Sequence, residues 1–390
     1  MKICVITYAF YTSTIPLTRY LAELGHDVDL FCITGTRSSD HFTINLSGYD
    51  SPDGFVPDPK LDQVISKDII EYLKPLHDFK IFVFSKQRRN LYISYVSGIF
   101  TLSRYLKSQK YEVVHFIGQN EIYLHLYRLL RLPKVFTFHE VIIRTGRDIP
   151  SRYKLVDFIS KRNNSVIFHS SNTKKDYLEN FSPKNRLVNV IKFGLFETYR
   201  LFPDQAAEEP GTLLYYGIIL PYKGLEYLLE AYRIVKNEIK DLNLIIAGRG
   251  PLYFEKSLLD TEGIELINRT ISEEELVRLN KRASVVVCPY ISASQSGIPV
   301  TSFIFNKPIL ATSVEGITEY VTHEKTGFLV PPADSKALAS GIRKLLQDVS
   351  LRKRIIDNIG QMNDKSRSEW ISIAENTIEI YHNEIQNSLK

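Results

Sequence analysis

Lys223 stands next to last in the segment Gly217-Ile218-Ile219-Leu220-Pro221-Tyr222-Lys223-Gly224, which follows an apolar run and precedes an amphipathic helical pattern. An ammonium group at a helix entrance stands beside backbone N–H groups that have no intrahelical partner, and such a place suits a phosphate. A second apolar run ends in Ala247-Gly248-Arg249-Gly250-Pro251. There Gly248 and Gly250 allow backbone to approach a ligand closely, and Arg249 adds a second cation. A third run ends in the small, polar stretch Ser292-Ala293-Ser294-Gln295-Ser296-Gly297-Ile298. Ser296, Gly297 and Ile298 are placed to open a helix, whose first amides and dipole favour an anion by about 0.3–2 kcal/mol. A leaving diphosphate gains negative charge as it departs, so dipoles already aimed at it lower the barrier.

In the first half, His139 follows the apolar run Val135-Phe136-Thr137-Phe138, and His115 follows Val113-Val114. Two histidines near strand ends on one side of a parallel sheet would point toward the cleft, and His139 is the candidate for contact with a transferred group or a reacting proton. Asp27-Val28-Asp29 has the spacing of a carboxylate pair for a metal. Its carboxylates alternate with Val28 and Leu30 at the start of a strand, so a solvated strand face is expected there and no metal. Cys4, Cys32 and Cys288 each lie inside an apolar run. Buried thiols and a reducing compartment follow from that placing.

The elements that must hold these residues alternate. Strands are expected over Lys2–Thr7, Val28–Ile33, Lys80–Phe84, Val113–Ile117, Lys134–Phe138 and Ser165–His169, with a helix over Ile15–Leu24 and a loop over Ser51–Asp62. A composition shift at 201–211, poor in large apolar residues and broken by Pro203, Pro210 and Gly211, reads as a linker. The alternation then restarts with strands Leu213–Tyr216, Leu242–Ala247, Ser284–Pro289 and Pro308–Thr312. Helices are expected over Gly224–Lys236, Glu273–Arg282, Ile298–Phe305, Ser335–Gln347 and Trp370–Gln386. This is an α/β pattern of two doubly wound parallel sheets facing a central cleft, with ligands outside the carboxyl ends of the strands. A chain of 390 residues, 44% hydrophobic and 24% charged, is long enough for two such cores.

Charge is unevenly spread. Residues 1–200 carry 28 Lys and Arg against 19 Asp and Glu, and residues 201–390 carry 21 against 25. The first half, at +9, would face something anionic, either a membrane surface or a phosphate-bearing acceptor. Lys86, Arg88, Arg89, Arg104, Lys107 and Lys110 flank the apolar and aromatic run from Leu91 to Tyr105, and that segment suits an anionic bilayer. No stretch has the length of a spanning helix, and the first residues read as a strand rather than a signal sequence.

With these residues in place, the chain resembles the retaining GT-B glycosyltransferases of group 1, in the manner of glycosyltransferase family 4. The likeness rests on Tyr216-Gly217 with Tyr222-Lys223-Gly224-Leu225, on Ala247–Pro251, on Lys307–Thr312 with Gly316-Ile317-Thr318-Glu319, and on Thr326–Val330. In the first half Gly25-His26-Asp27-Val28, Val113-Val114-His115 and Thr137-Phe138-His139 fit more loosely. The resemblance implies a GT-B fold, with an acceptor-binding Rossmann-like domain over 1–200, a linker over 201–211, a sugar-nucleotide domain over 212–366, and a helix over 367–390 that crosses back to the first domain. It implies a nucleotide-sugar donor, a glycan or lipid-linked acceptor, no nucleic acid and no metal or other cofactor. The expected setting is surface polysaccharide assembly in the cytoplasm, with peripheral contact to the inner face of the membrane. Lys223 and His139 would be the catalytic pair. Gly217, Lys223, Gly248, Arg249, Gly250, Ser296, Gly297, Ile298 and Thr301 would hold the donor. The family's two glutamates, eight positions apart, fall here on Ala293 and Thr301. A binding subunit without catalysis, or a sugar-nucleotide epimerase, are the alternatives that this departure leaves open. The family's second cation near the phosphate lysine is absent, Ile218 and Leu220 standing in the candidate positions, and Arg249 would replace it from the neighbouring turn. The loop Ala9–Pro16 lacks the paired glycines common there. The base and sugar would be read around Arg269–Glu273 and Ser292–Gln295.

Overall fold

The computed structural model describes residues 1–35, 43–46, 54–84, 91–142, 150–162, 165–181, 183–184 and 187–389. The chain forms two compact units, Met1–Gly194 with Arg367–Lys390, and Leu195–Ser366. Strands of the first unit are β1 (Lys2–Thr7), β2 (Asp27–Gly35), β3 (Gly54–Phe55), β4 (Asp78–Phe84), β5 (Val113–Ile117), β6 (Lys134–Phe138), β7 (Ser165–Phe168) and β8 (Leu187–Val190). Its helices are α1 (Tyr11–Glu23), α2 (Lys67–Tyr72), α3 (Leu91–Ser108), α4 (Ile122–Leu129), α5 (Pro150–Ser160) and α6 (Ser171–Phe181). The second unit has β9 (Thr212–Tyr216), β10 (Asn243–Ala247), β11 (Ile264–Ile267), β12 (Val285–Cys288), β13 (Ile309–Thr312) and β14 (Gly327–Val330). Its helices are α7 (Leu225–Lys236), α8 (Glu273–Arg282), α9 (Ile298–Phe303), α10 (Glu315–Thr318), α11 (Ser335–Gln347) and α12 (Val349–Asp364). Helix α13 (Ser366–Ser388) returns the chain to the first unit.

The first sheet runs β3-β4-β2-β1-β5-β6-β7-β8 and the second β11-β10-β9-β12-β13-β14. All pairs are parallel except β3 with β4. Two Rossmann-like parallel-sheet units are therefore present, as the alternation of runs predicts. Parallel strands are covered on both faces, which is why β5, β9 and β12 are buried throughout and read as continuous apolar runs rather than alternating ones. Helix α7 buries Leu225, Leu228, Leu229, Tyr232 and Val235 at helical spacing. Ser272 and Asp334 cap α8 and α11 by accepting from Glu275 N and Ala337 N.

Several local readings change. Helix α1 begins at Tyr11, inside the stretch read as the Ala9–Pro16 loop. Its Ser, Thr and Pro residues have weak helix propensity, but Tyr11, Thr14, Ile15 and Pro16 are buried, and tertiary packing outweighs propensity. Asp29 does not lie on a solvated face. It is buried and accepts from Tyr111 Oη at 2.5 Å and from His77 Nδ1 at 2.7 Å. The stretch 201–211 lies within the second unit. Asp204 pairs with Arg278 at 3.1 Å, Glu209 with Arg282 at 2.6 Å, and Glu208 with Lys307 at 2.9 Å and with Arg352. Ion pairs hold it where apolar side chains are lacking. The three cysteines are free and buried. Lys86, Arg88 and Arg89 lie outside the described residues.

Candidate active site

In the second sheet the strand order reverses direction between β9 and β12. Loops at the carboxyl ends of those two strands part in opposite directions, and the crevice between them is where open parallel sheets bind ligands. The loop after β9 is Gly217–Gly224, and the loop after β12 leads from Pro289 to Gly297. The turn after β10, Gly248–Pro251, lies beside the first. These segments interlock through backbone. Gly217 N donates to Ala247 O at 2.9 Å, Ile219 N to Arg249 O at 3.0 Å, and Ile291 N to Tyr222 O at 2.8 Å. Gly248 has φ +148°, and a Cβ there would stand 1.8 Å from Gly217 O. Gly224 has φ +63°, and its Cβ would stand 2.1 Å from Pro289 O. Only glycine permits both the conformation and the contact.

Lys223 ends the short 3-10 turn Pro221–Lys223. Its Nζ lies 3.7 Å from the ring centroid of Tyr290 and 5.0 Å from that of Tyr222. A cation over an aromatic face is stabilised by about 0.5–2 kcal/mol, which holds the ammonium at the end of β12. Tyr290 is fully buried, and burial pushes its hydroxyl well above the usual tyrosine range, so the ring stays neutral under the lysine. Thr312 Oγ1 donates to Tyr290 O at 2.5 Å and fixes the strand end. Sequence reading passed over Tyr290; an aromatic residue directly after a Cys-Pro strand end was the available signal.

The remaining expected donor contacts divide. Gly217 and Gly250 are half-buried, Gly248 is buried and Arg249 is exposed, all at this strand end. Ser296 is buried beside Gly297 and Ile298 at the start of α9, and its Oγ accepts from Ile298 N at 3.3 Å. One of the amides read as open to an anion is therefore capped by the chain itself. Helix α9 ends at Phe303, two residues short of expectation. Thr301 is buried, and its hydroxyl donates to Gly297 O at 2.9 Å, one turn back at the end of the loop. Ser302 Oγ bonds Tyr216 Oη at 3.1 Å. Ala293 is buried, and its carbonyl accepts from Gly316 N at 3.1 Å. Arg269 makes a bidentate pair with Glu275, both bonds at 2.7 Å, so the start of α8 commits that cation to the protein.

In the first unit the order reverses between β1 and β5. His139, after β6, is 3% exposed. Phe10 stacks on it with centroids 3.5 Å apart and planes 5° apart, and His169 lies 4.8 Å away on its own stack with Phe193 at 4.0 Å. Burial pulls the pKa of His139 well below the usual histidine value, with the nearby His169 adding to the shift, so the ring is neutral at pH 7. His115 is buried, and both of its ring nitrogens are bonded within the unit. Its Nδ1 pairs with Tyr381 Oη and its Nε2 with Thr137 Oγ1, both at 2.7 Å, which ties β5 to α13.

Burial lowers the His115 pKa to about 3 and that of His169 to about 4. The unfolded chain takes up protons near pH 6.5 while these rings stay neutral in the fold. The stability they contribute is whole above that pH and is lost as pH falls from about 6.5 toward about 3. One such ring should cost about 2 kcal/mol between pH 6.5 and 5. Urea midpoints measured across that window should fall, and His115→Gln should flatten the slope by one ring's share. An unchanged slope in the variant would remove His115 from this account.

Among the described residues, no group of three or more His, Cys, Asp or Glu side chains could hold a metal ion, and no helix is long and apolar enough to cross a membrane. Comparison with known proteins bears on both halves. Residues 12–194 match the Glycosyltransferase Family 4 model, and residues 200–362 match that of Glycosyl transferases group 1. The chain belongs to the GT-B glycosyltransferases. It is 25% identical over 301 residues to an uncharacterized glycosyltransferase of Methanocaldococcus jannaschii, covering 70% of this chain and 75% of that protein. It is 24% identical over 276 residues to the capsular polysaccharide biosynthesis glycosyltransferase CapM of Staphylococcus aureus, covering 63% of this chain and 66% of that protein. In fold it is similar to the Anabaena HepE protein in complex with UDP-glucose, with a TM-score of 0.66 at 13% identity over 97% of this chain and all of that one. In this glycosyltransferase the group 1 match contains Lys223, Tyr290 and the three interlocked loops, and the family 4 match contains His139.

Proposed function

We propose that the chain transfers a sugar from a nucleotide-sugar donor to a glycan or lipid-linked acceptor, with retention of anomeric configuration, in surface polysaccharide assembly at the cytoplasmic face of a membrane. One observation carries the reading: the Lys223 ammonium is held 3.7 Å over Tyr290 at the point where the second sheet reverses its strand order. Its charge and the glycine turns around it suit a diphosphate. Gly217, Gly248, Arg249, Gly250, Ser296, Gly297 and Ile298 would complete the donor site in the second unit, with the acceptor bound by the first. The acceptor oxygen forms a bond to the anomeric carbon as that carbon's bond to the diphosphate oxygen breaks. The hydroxyl proton leaves with the departing phosphate. Lys223 stabilises the charge that accumulates there. His139, kept neutral by burial, would meet the transferred sugar as a hydrogen-bonding group. Retention is carried over from the family resemblance, and the polysaccharide setting is supported by the name of CapM.

Thermal unfolding against a panel of UDP-, GDP-, ADP- and dTDP-hexoses tests the reading. A cognate donor at a hundred times its Kd should stabilise the fold by about 2.7 kcal/mol. No shift with any member at millimolar concentration would defeat it. A second reading, a donor-binding subunit without transfer, draws on the absence of a carboxylate at buried Ala293 and back-bonded Thr301. A donor that stabilises the protein but is never consumed in the presence of glycan and lipid-linked acceptors would select it.

A further inference from the structure

The first unit contains a cavity of about 490 Å3 at the amino-terminal ends of β5 and β6, the end of the sheet opposite His139. It is bounded by the ends of α3 and α4 and by the chain that enters β6. Lys107, Lys110, Arg128 and Arg131 line it together with buried Leu106, Leu130 and Tyr111. Arg131 precedes β6 and His139 follows it, so the strand's whole length of about 16 Å lies between this cavity and the candidate active site.

Lys107 and Arg128, each in the last turn of its helix, answer the helix dipoles. The dipoles offset only part of this charge. Two helix carboxyl ends supply about −0.5 charge each, against four full cations, so a surplus of about +3 remains. No carboxylate lines the cavity. Among the described residues none of the four cations is in an ion pair; Arg128 stacks on Phe158 at 5.4 Å. The Tyr111 hydroxyl is already committed to Asp29, and the leucines offer only apolar surface. Cations at the rim over an apolar floor match a ligand that is anionic at one end and apolar at the other.

We propose that this cavity takes the phosphate headgroup of an anionic phospholipid and seats the first unit on a bilayer. The inference deepens the membrane-facing part of the proposed function and is independent of the donor assignment. Of the basic residues read from the sequence as facing a membrane, Lys107 and Lys110 belong to the cavity and Arg104 does not line it. Arg128 and Arg131, from another helix and its exit, complete it.

Flotation with vesicles of phosphatidylglycerol and phosphatidylcholine at 1:1, against phosphatidylcholine alone, is the test. The protein should float with the first and stay behind with the second. Each lost cation should weaken binding about fivefold, so R128Q/R131Q should lose about 25-fold. R128K/R131K should retain binding, which separates lost charge from lost folding. K67Q/K175Q removes two exposed cations elsewhere in the same unit, and it should stay within twofold of the parent. Equal losses in R128Q/R131Q and K67Q/K175Q would overturn the site, as would no vesicle binding at all. Vesicle binding that millimolar glycerol phosphate abolishes equally in R128Q/R131Q would also overturn it. Donor-induced thermal shifts measured on the same variants should be unchanged. Failure of flotation with that shift intact overturns this inference alone, and absence of the shift bears on the donor reading.

Discussion

Lys223→Ala should lower kcat by about 10²–10³ with the cognate donor, because one aimed positive group at a developing charge contributes about 2.7–4 kcal/mol in the transition state. The stability cost should be much smaller. The substitution removes the contact over Tyr290, about 0.5–2 kcal/mol, and leaves a neutral, fully buried ring packed as before. Lys223→Arg should keep part of the activity, since charge survives while its placement over Tyr290 changes. Initial rates and thermal unfolding on the same preparations separate the two effects. Parental turnover in Lys223→Ala would remove the lysine from the chemistry.

Gly248→Ala should destabilise the second unit by about 3–5 kcal/mol, the cost of a backbone region nearly exclusive to glycine added to that of overpacking. Its φ of +148° and the 1.8 Å approach to Gly217 O leave no flexible atom to move aside, since the obstacle is backbone. The damage should reach the donor site as well, because Gly217 N and Ile219 N depend on Ala247 O and Arg249 O for their positions. Gly360→Ala is the matched comparison. That glycine lies in α12 with nothing within 4 Å of a built Cβ, and alanine there should be neutral or stabilising by up to about 1 kcal/mol. Denaturation midpoints that fail to separate the two variants would show that the stacked turns tolerate rearrangement.

Much of this could be read in the chain itself. β1, β5, β6, α8 and α11 fall on the residues where the apolar runs and helical spacing place them. Both ends of a parallel strand are marked locally, by the switch from apolar residues to Gly, Pro and small polar ones. The three loops that bear Lys223, Gly248 and Ser296 were legible for that reason. Local pattern also misled where packing opposed it. Tyr11–Thr14 reads as a loop and is helical because Tyr11, Ser13 and Thr14 are buried. Asp29 reads as solvated and is buried because Tyr111 and His77 satisfy it.

What the sequence determined by itself was therefore the set of strands, the turns that end them, and the kinds of group those turns present. The tertiary structure alone decided which of those groups meet. Tyr290 lies under Lys223 because β9 and β12 are neighbours at the reversal of strand order, although 67 positions separate the two residues. His115 is spoken for by Tyr381, 266 positions away, and Lys107, Lys110, Arg128 and Arg131 share a cavity because α3 and α4 end beside the amino-terminal ends of neighbouring strands. Strand order is a property of how whole elements pack, and no short stretch of residues encodes it.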